Sequence, residues 1–262
     1  MTAAALSTSI HVSLGQVAAS LALVALAAAI SYWWKADLER DIGIATVRSL
    51  VQLTLVGYAI KLIFEADTIW LVLLLLAVMV VFGAITARHR ATRVPGSFWP
   101  LLVALALAGA STLGLVVALG IFEPTPRYLV PVGGMVIGNA MTAAAVALNR
   151  LGDEMADSRA RIEATLALGA TAREAALPTV QRSLRSGMIA LVDSTKTTGL
   201  IFFPGTMVGM LLAGANPTDA VRLQLILLYV LLGSVSIAAL VATGLAYRNF
   251  FTPAQQLRDP GA

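Results

Sequence analysis

Few side chains in this sequence could do chemistry, and their spacing narrows what that chemistry is. Cysteine is absent, which excludes disulfides, thiolate metal sites and a thiol nucleophile. The two histidines, His11 and His89, lie far apart and have no metal-ligand spacing, so no metal centre is expected. No Gly-x-x-x-x-Gly-Lys-Ser/Thr occurs, so the chain has no P-loop to cradle a nucleotide. Neither a Ser-His-Asp set nor a carboxylate pair stands out; no catalytic residue and no resident cofactor are expected. What remains is polar chemistry in apolar company. Arg48 and Gln52 share one apolar stretch, Asn139 sits between Met135 and Met141 in another, and Asp193, Lys196 and Met207 occupy a third.

The stretches that must position these residues are long. Hydrophobic residues make up 58% of the 262-residue chain and charged residues 12%, against about 45–50% and about 25% in a soluble domain. The mean hydropathy is +0.85. A single soluble core cannot bury that much apolar surface, so the expected fold is all-α, a polytopic integral membrane protein built as one transmembrane domain over residues 1–262. Charge-free windows place about seven transmembrane helices: Val12–Trp34, Ile42–Phe64, Thr68–Ala87, Phe98–Ile121, Tyr128–Leu148, Gly187–Ala213 and Leu223–Tyr247. The sixth is the least regular, with Asp193 and Lys196 inside it and a break at Pro204-Gly205.

Charge sets the orientation. With the loop after the first helix in the cytoplasm, thirteen of the 18 basic residues fall in cytoplasmic segments, while Arg127 and Arg222 lie outside. By the positive-inside rule the N-terminus is outside and the C-terminus cytoplasmic, in a plasma (inner) membrane. The pI of about 9.8 thus encodes topology, and nucleic acid is not an expected partner; lipid is. Trp33, Trp34, Trp70 and Trp99 fall at helix ends, as in an aromatic belt.

Charges at membrane depth are costly and face a bundle interior or a wet cavity. Asp193 and Lys196, at i and i+3, can pair. Two readings follow: an internal ion pair, shared with Arg48, that locks helices 2 and 6, or a cluster that lines a solute path. Asn139 needs hydrogen-bond partners, so it either clamps helices or faces a solute. Met135, Met141 and Met207 are soft thioethers that suit Cu(I) better than iron or aluminium, or ordinary apolar packing. Pro131 and Pro204, with the glycines around them, free backbone groups that need protein or water. These features place Arg48, Gln52, Met135, Asn139, Met141, Asp193, Lys196 and Met207 as path candidates, with helices 3 and 4 facing lipid.

Only 149–186 could build structure outside the bilayer. Ile162 and Leu166 share a helical face, Gly169 ends that helix, and Thr171–Glu174 is a capping box that opens another, which Pro178 should kink or end. This is either a helical linker on the membrane surface or a docking element for a soluble partner. The spacing Glu163-Ala164-Thr165-x-x-x-Gly169 resembles the cytoplasmic motif of ABC-transporter permeases, with Thr165 in place of the usual Ala. In those proteins a short coupling helix inserts into the ATPase subunit; by that resemblance Ile162, Glu163, Leu166 and Gly169 contact an ATPase.

Three further stretches resemble the FetB-type family of iron export permeases, which has plant relatives linked to aluminium tolerance. They are Arg48-x-x-x-Gln52-Leu53-x-x-x-Gly57-Tyr58, Pro131-x-x-Gly134-Met135-x-x-Gly138-Asn139-Ala140-Met141, and Asp193-Ser194-x-Lys196-Thr197-x-Gly199-Leu200 with Pro204-Gly205-x-Met207-x-Gly209. The resemblance implies the membrane subunit of an ABC transporter, a homodimer powered by a separate ATPase that binds the ATP, exporting a small solute such as iron, another metal or its chelate. The alternative is an ion-gradient-driven secondary transporter, for which Asp193 is the one candidate carboxylate.

Overall fold

The computed structural model describes residues 13–66 and 68–258, and among them the regular structure is helical: α1 Leu14–Trp34, α2 Glu39–Ala66, α3 Ile69–Arg90, α4 Phe98–Ala118, α5 Pro126–Asp157, α6 Arg159–Ala167, α7 Ala172–Thr197, α8 Gly205–Leu212 and α9 Pro217–Ala246, followed by a 3₁₀ turn, Tyr247–Phe250. Val12 and His11 lie outside the described residues. Local signals set the ends. Ser13 and Gln16 form a capping box on α1, and Asn216 accepts from the Thr218 N–H ahead of Pro217 on α9. Six helices, α1 to α5 and α9, are long and apolar enough to span a bilayer. The exposed Trp33, Trp34, Trp70 and Trp99 stand at helix ends.

Two expected boundaries differ. The fifth helix does not stop at Leu148 but runs nine residues further, to Asp157, because Leu148, Leu151 and Met155 continue one buried face. The expected sixth span, Gly187–Ala213, is instead the second half of α7, a turn and α8. The helix stops at Thr197 rather than at Pro204, where Gly199 takes φ +88° and its N–H donates back to the Phe202 carbonyl. Pro178 neither ends α7 nor separates it from its first turn. Pro178, the seventh residue of α7, forfeits one intrahelical bond, to the Glu174 carbonyl, and the buried Ala175, Ala176 and Thr179 hold the segment.

α5 and α9 form the centre, with α4, α3 and α7 around them and α8 against α9. Helix 4 does not merely face lipid as expected: Leu101, Leu105, Ala108 and Gly109 are buried. Alanine dominates the shared faces, with Ala84, Ala87, Ala104, Ala140, Ala144, Ala238 and Ala242 all in one cluster. Small side chains let backbones approach closely where lipid gives no hydrophobic drive to pack. α5 and α7 approach closely at Gly187, where a Cβ would lie 2.7 Å from the Ala143 carbonyl oxygen and 2.8 Å from the Ala147 Cβ. By contrast α2 buries no residue; its main contacts are with α1 and, more lightly, α5.

One end of the bundle gathers the loops. The Asn249 amide donates to the Pro95 carbonyl (2.8 Å), the Arg159 guanidinium to the Arg258 carbonyl (2.9 Å), and the Ala172 N–H to Gln255 Oε1 (2.9 Å). The α3–α4 loop, the 149–186 region and the C-terminal stretch therefore share a face, the one whose arginines the charge rule assigns to the cytoplasm.

Glycine contacts give a direct contrast. Gly187→Ala should force α5 and α7 apart and lower the thermal midpoint of the detergent-purified protein. Gly138→Ala, whose Cβ would meet nothing within 4 Å, should leave it unchanged or raise it, since Ala is favoured over Gly inside a helix by roughly 0.5–1 kcal/mol. Equal effects would show that the α5–α7 contact does not limit stability.

Candidate functional site

The region beyond α5 is held by polar bonds over an apolar anchor. Ile162 on α6 is 0% exposed, and Leu166 packs against the same cluster. This corrects the expectation that Ile162 and Leu166 face a partner: both turn into the chain's own core, because the continued α5 and the start of α7 supply an apolar floor. Glu163 stays outside, paired with Arg159 at 2.9 Å. Gly169 closes the helix at φ +89°, a conformation that favours glycine. Beside it Leu168 stands 90% exposed. The outer surface of this loop is thus Glu163, Ala164, Ala167, Leu168 and Gly169, a small-residue face around one projecting leucine.

The expected capping box is present. The Glu174 carboxylate accepts from the Thr171 N–H (2.9 Å) and hydroxyl (2.8 Å), and these bonds hold its carboxyl below the usual carboxylate range. Arg161 Nη2 donates to Thr179 Oγ1 at 3.3 Å, tying α6 to α7. Behind α6 lies a carboxylate that sequence reasoning missed. Glu154 is 6% exposed, with Arg150 Nη2 at 2.6 Å from one oxygen and Arg182 Nε at 2.6 Å from the other. Its signal is in the sequence: Leu148, Leu151 and Met155 keep helical spacing through the charged run and place Glu154 inward, whereas charge alone marks the end of the helix at Leu148.

Membrane-ward of this cluster, α5 and α7 enclose an open cavity of about 240 Å³. Its polar lining is Asn139, Thr142, Ser186 and Ser194, with Gly187 and Leu191 among the apolar walls. Asn139 Nδ2 donates to the Met135 carbonyl (2.8 Å) and Thr142 Oγ1 to the Gly138 carbonyl (3.1 Å). Both bonds lie within α5, so Asn139 clamps no second helix and its carbonyl oxygen is left for other partners. Thr142, Ser186 and Ser194 were not foreseen; lone hydroxyls in apolar helices give little signal without the neighbouring helix.

The other candidates separate. Lys196 Nζ meets Asp193 Oδ1 at 2.9 Å, as the spacing predicts. The pair is not internal, however: the side chains are 66% and 58% exposed on the outer surface of α7. Arg48 and Gln52 lie exposed on α2 and do not line the cavity, and among the described residues Arg48 joins no ion pair. The expected lock of helices 2 and 6 through Arg48 is therefore absent within one chain, because α2 packs on α1 and not on α7. Met135 and Met141 pack against the buried clusters, and Met207 is half-buried on α8. Among the described residues no group of three or more His, Asp or Glu could hold a metal ion.

An all-helical bundle with six helices long and apolar enough to span a bilayer, and a short helix anchored against one end of it, is a polytopic membrane protein. The chain belongs to the uncharacterised protein family UPF0014, whose model matches residues 14–251. It is 38% identical to the UPF0014 membrane protein STAR2 of Oryza sativa subsp. japonica, over 92% of this chain and 85% of that one. Protein ALUMINUM SENSITIVE 3 of Arabidopsis thaliana is 37% identical over 92% and 88%. The "Probable iron export permease protein FetB" of Escherichia coli (strain K12) is 34% identical over 92% and 93%. No solved structure matches.

Burial separates the two leucine-class residues of the external loop. Ile162→Ala should cost about 2–5 kcal/mol of stability, as for other fully buried large-to-small changes, whereas Leu168→Ala should change it by less than about 0.5 kcal/mol; thermal unfolding in detergent reads both. The α7 cap gives a pH dependence. Because the folded carboxyl of Glu174 is lowered, its contribution is complete above the unfolded carboxylate pKa and is lost as pH falls through the folded value. Amide exchange in the first turn of α7, corrected for intrinsic pH dependence, should speed up below that range in the wild type. In Thr171→Val it should be fast throughout.

Proposed function

We propose that this chain is the membrane-spanning subunit of an ABC transporter, acting as a homodimer with a separate ATPase that binds the ATP. The observation that carries the reading is α6. Its inner face is anchored through Ile162, and its outer face presents Glu163, small residues and Leu168 at the end of the bundle where the basic loops collect. A short helix fixed from within and bare outside suits insertion into a groove, and the chain's own sequence has no P-loop. On this reading that end is cytoplasmic and the N-terminus is outside. The transport path is the α5–α7 cavity. Asn139, Thr142, Ser186 and Ser194 offer neutral oxygen ligands, compatible with a hydrated or chelated hard cation. The name of the Escherichia coli relative, an iron export permease, supports iron, another metal or its chelate as the exported solute.

Homodimerisation draws support from the same surface. Asn139, Thr142, Asp193 and Lys196 are exposed in one copy, and polar groups at membrane depth face protein or water rather than lipid. The ion-gradient alternative gains nothing from Asp193, whose charge Lys196 neutralises.

The test is co-purification with an ATP-binding-cassette subunit, reconstitution into vesicles, and a screen of iron salts, iron chelates and other metals for stimulated ATP hydrolysis and transport. The reading predicts a stable complex at two permease chains per two ATPases, with stimulation by at least one of these solutes. Leu168→Arg and Glu163→Arg should insert normally yet lose the ATPase. Normal transport by both variants, or transport driven by an ion gradient without ATP, would overturn the reading.

A further inference from the structure

The cluster around Glu154 is placed between the external helix and the cavity, and the permease reading leaves it without a role. Glu154 belongs to α5, three residues before its end, and is 6% exposed. Its partner Arg182 is on α7, and the second nitrogen of that guanidinium reaches Ser158 Oγ, at the start of α6, at 3.5 Å. Arg182 therefore ties α7 to the end of α5 and to the start of the external helix. From the other side, Arg161 of α6 bonds Thr179 of α7, itself fully buried. One turn further along α7, Ser186 lines the cavity and donates to the Arg182 carbonyl at 3.1 Å. Gly187 beside it presses against Ala143 and Ala147. A continuous set of bonds and close contacts thus runs from α6 through Arg182 to the cavity wall.

A buried carboxylate between two guanidiniums is a poor way to gain stability, since desolvation offsets much of the attraction. Its geometric effect is larger. Arg150, four residues before Glu154 on the same helix, supplies a second counter-charge and fixes the carboxylate orientation, so that the bond to Arg182 keeps one register between α5 and α7. We infer that the Glu154–Arg182 contact, oriented by Arg150, is the joint that makes α5, α6 and α7 move as one body, so that a load on α6 reaches the cavity at Ser186. Glu154, Arg150 and Arg182 are positioning residues; none lines the cavity. The inference rests on the proposed ATPase partnership.

The experiment uses the native absence of cysteine. Ser186→Cys gives a single thiol in the cavity wall. In the full complex with the co-purifying ATPase, its labelling rate by a small thiol reagent is compared without nucleotide and with ATP plus vanadate. The expected change is roughly five-fold or more, the lower range of ordinary coupling between sites. Glu154→Gln and Arg182→Gln, each in the Ser186→Cys background, should lose that change while still binding the ATPase and hydrolysing ATP. Arg182→Lys, which keeps the charge, should retain part of it. A purely structural role would instead lower folded yield and leave the nucleotide response of the surviving protein intact; that result overturns the joint, and so does an unchanged response in both Gln variants. Failure of the chain to co-purify with an ATPase would overturn the ATPase reading, whereas an unresponsive Ser186→Cys parent in the intact complex would overturn the inference alone, so the two failures are distinguishable.

Discussion

The close packing of α5 on α7 at Gly187 is the contact on which the rest of the molecule depends. Only a residue without a Cβ allows the α7 backbone this near Ala143 and Ala147. That approach sets the width of the cavity between Asn139 and Ser194 and brings Arg182 within reach of Glu154. It also fixes where α6 must sit, because the external helix joins the ends of these two long helices through short turns. Spread the pair by the thickness of a methyl group and the cavity, the ion cluster and the floor under Ile162 all lose their geometry together.

A second constraint comes from the bilayer. Backbone and side-chain polar groups need partners where water is absent. The hydroxyls of Thr142, Ser183, Thr195 and Thr243 meet it by bonding carbonyls four residues back on their own helices. Asp193 and Lys196 meet it by pairing with each other, while remaining open on the outer surface of α7. Together with Arg48 and Gln52, exposed on α2, they are the polar groups that a second copy would cover in the proposed function.

Much of this architecture was legible in the sequence. Charge-free windows located the apolar helices, and the capping box at Thr171–Glu174 and the glycine at 169 located both ends of the turn after α6. The Asp193–Lys196 bond followed from helical spacing alone. The errors have one physical origin: a linear reading treats charge as the end of a buried helix. Glu154, Arg150 and Arg182 all fall in the polar 149–186 stretch, yet the two half-exposed guanidiniums neutralise the Glu154 carboxylate and allow it to be buried. Ile162 and Leu166 were given to a partner for the related reason that an amphipathic helix shows an apolar face but not what covers it. The cavity hydroxyls could not be read at all, since a site between two helices 40 or more residues apart depends on their register, which only packing reveals.

In the proposed function the outer face of α6 seats an ATPase. The most direct measurement is the accessibility of a single cysteine at that face, Leu168→Cys, to an impermeant thiol reagent applied to inside-out vesicles, with and without the co-purified ATP-binding-cassette subunit. An α6 seated in the ATPase gives rapid labelling of the permease alone and strong protection in the complex, with Ala36→Cys, exposed in the α1–α2 connection, equally reactive in both. Labelling of position 168 at the same rate with the ATPase bound would contradict it.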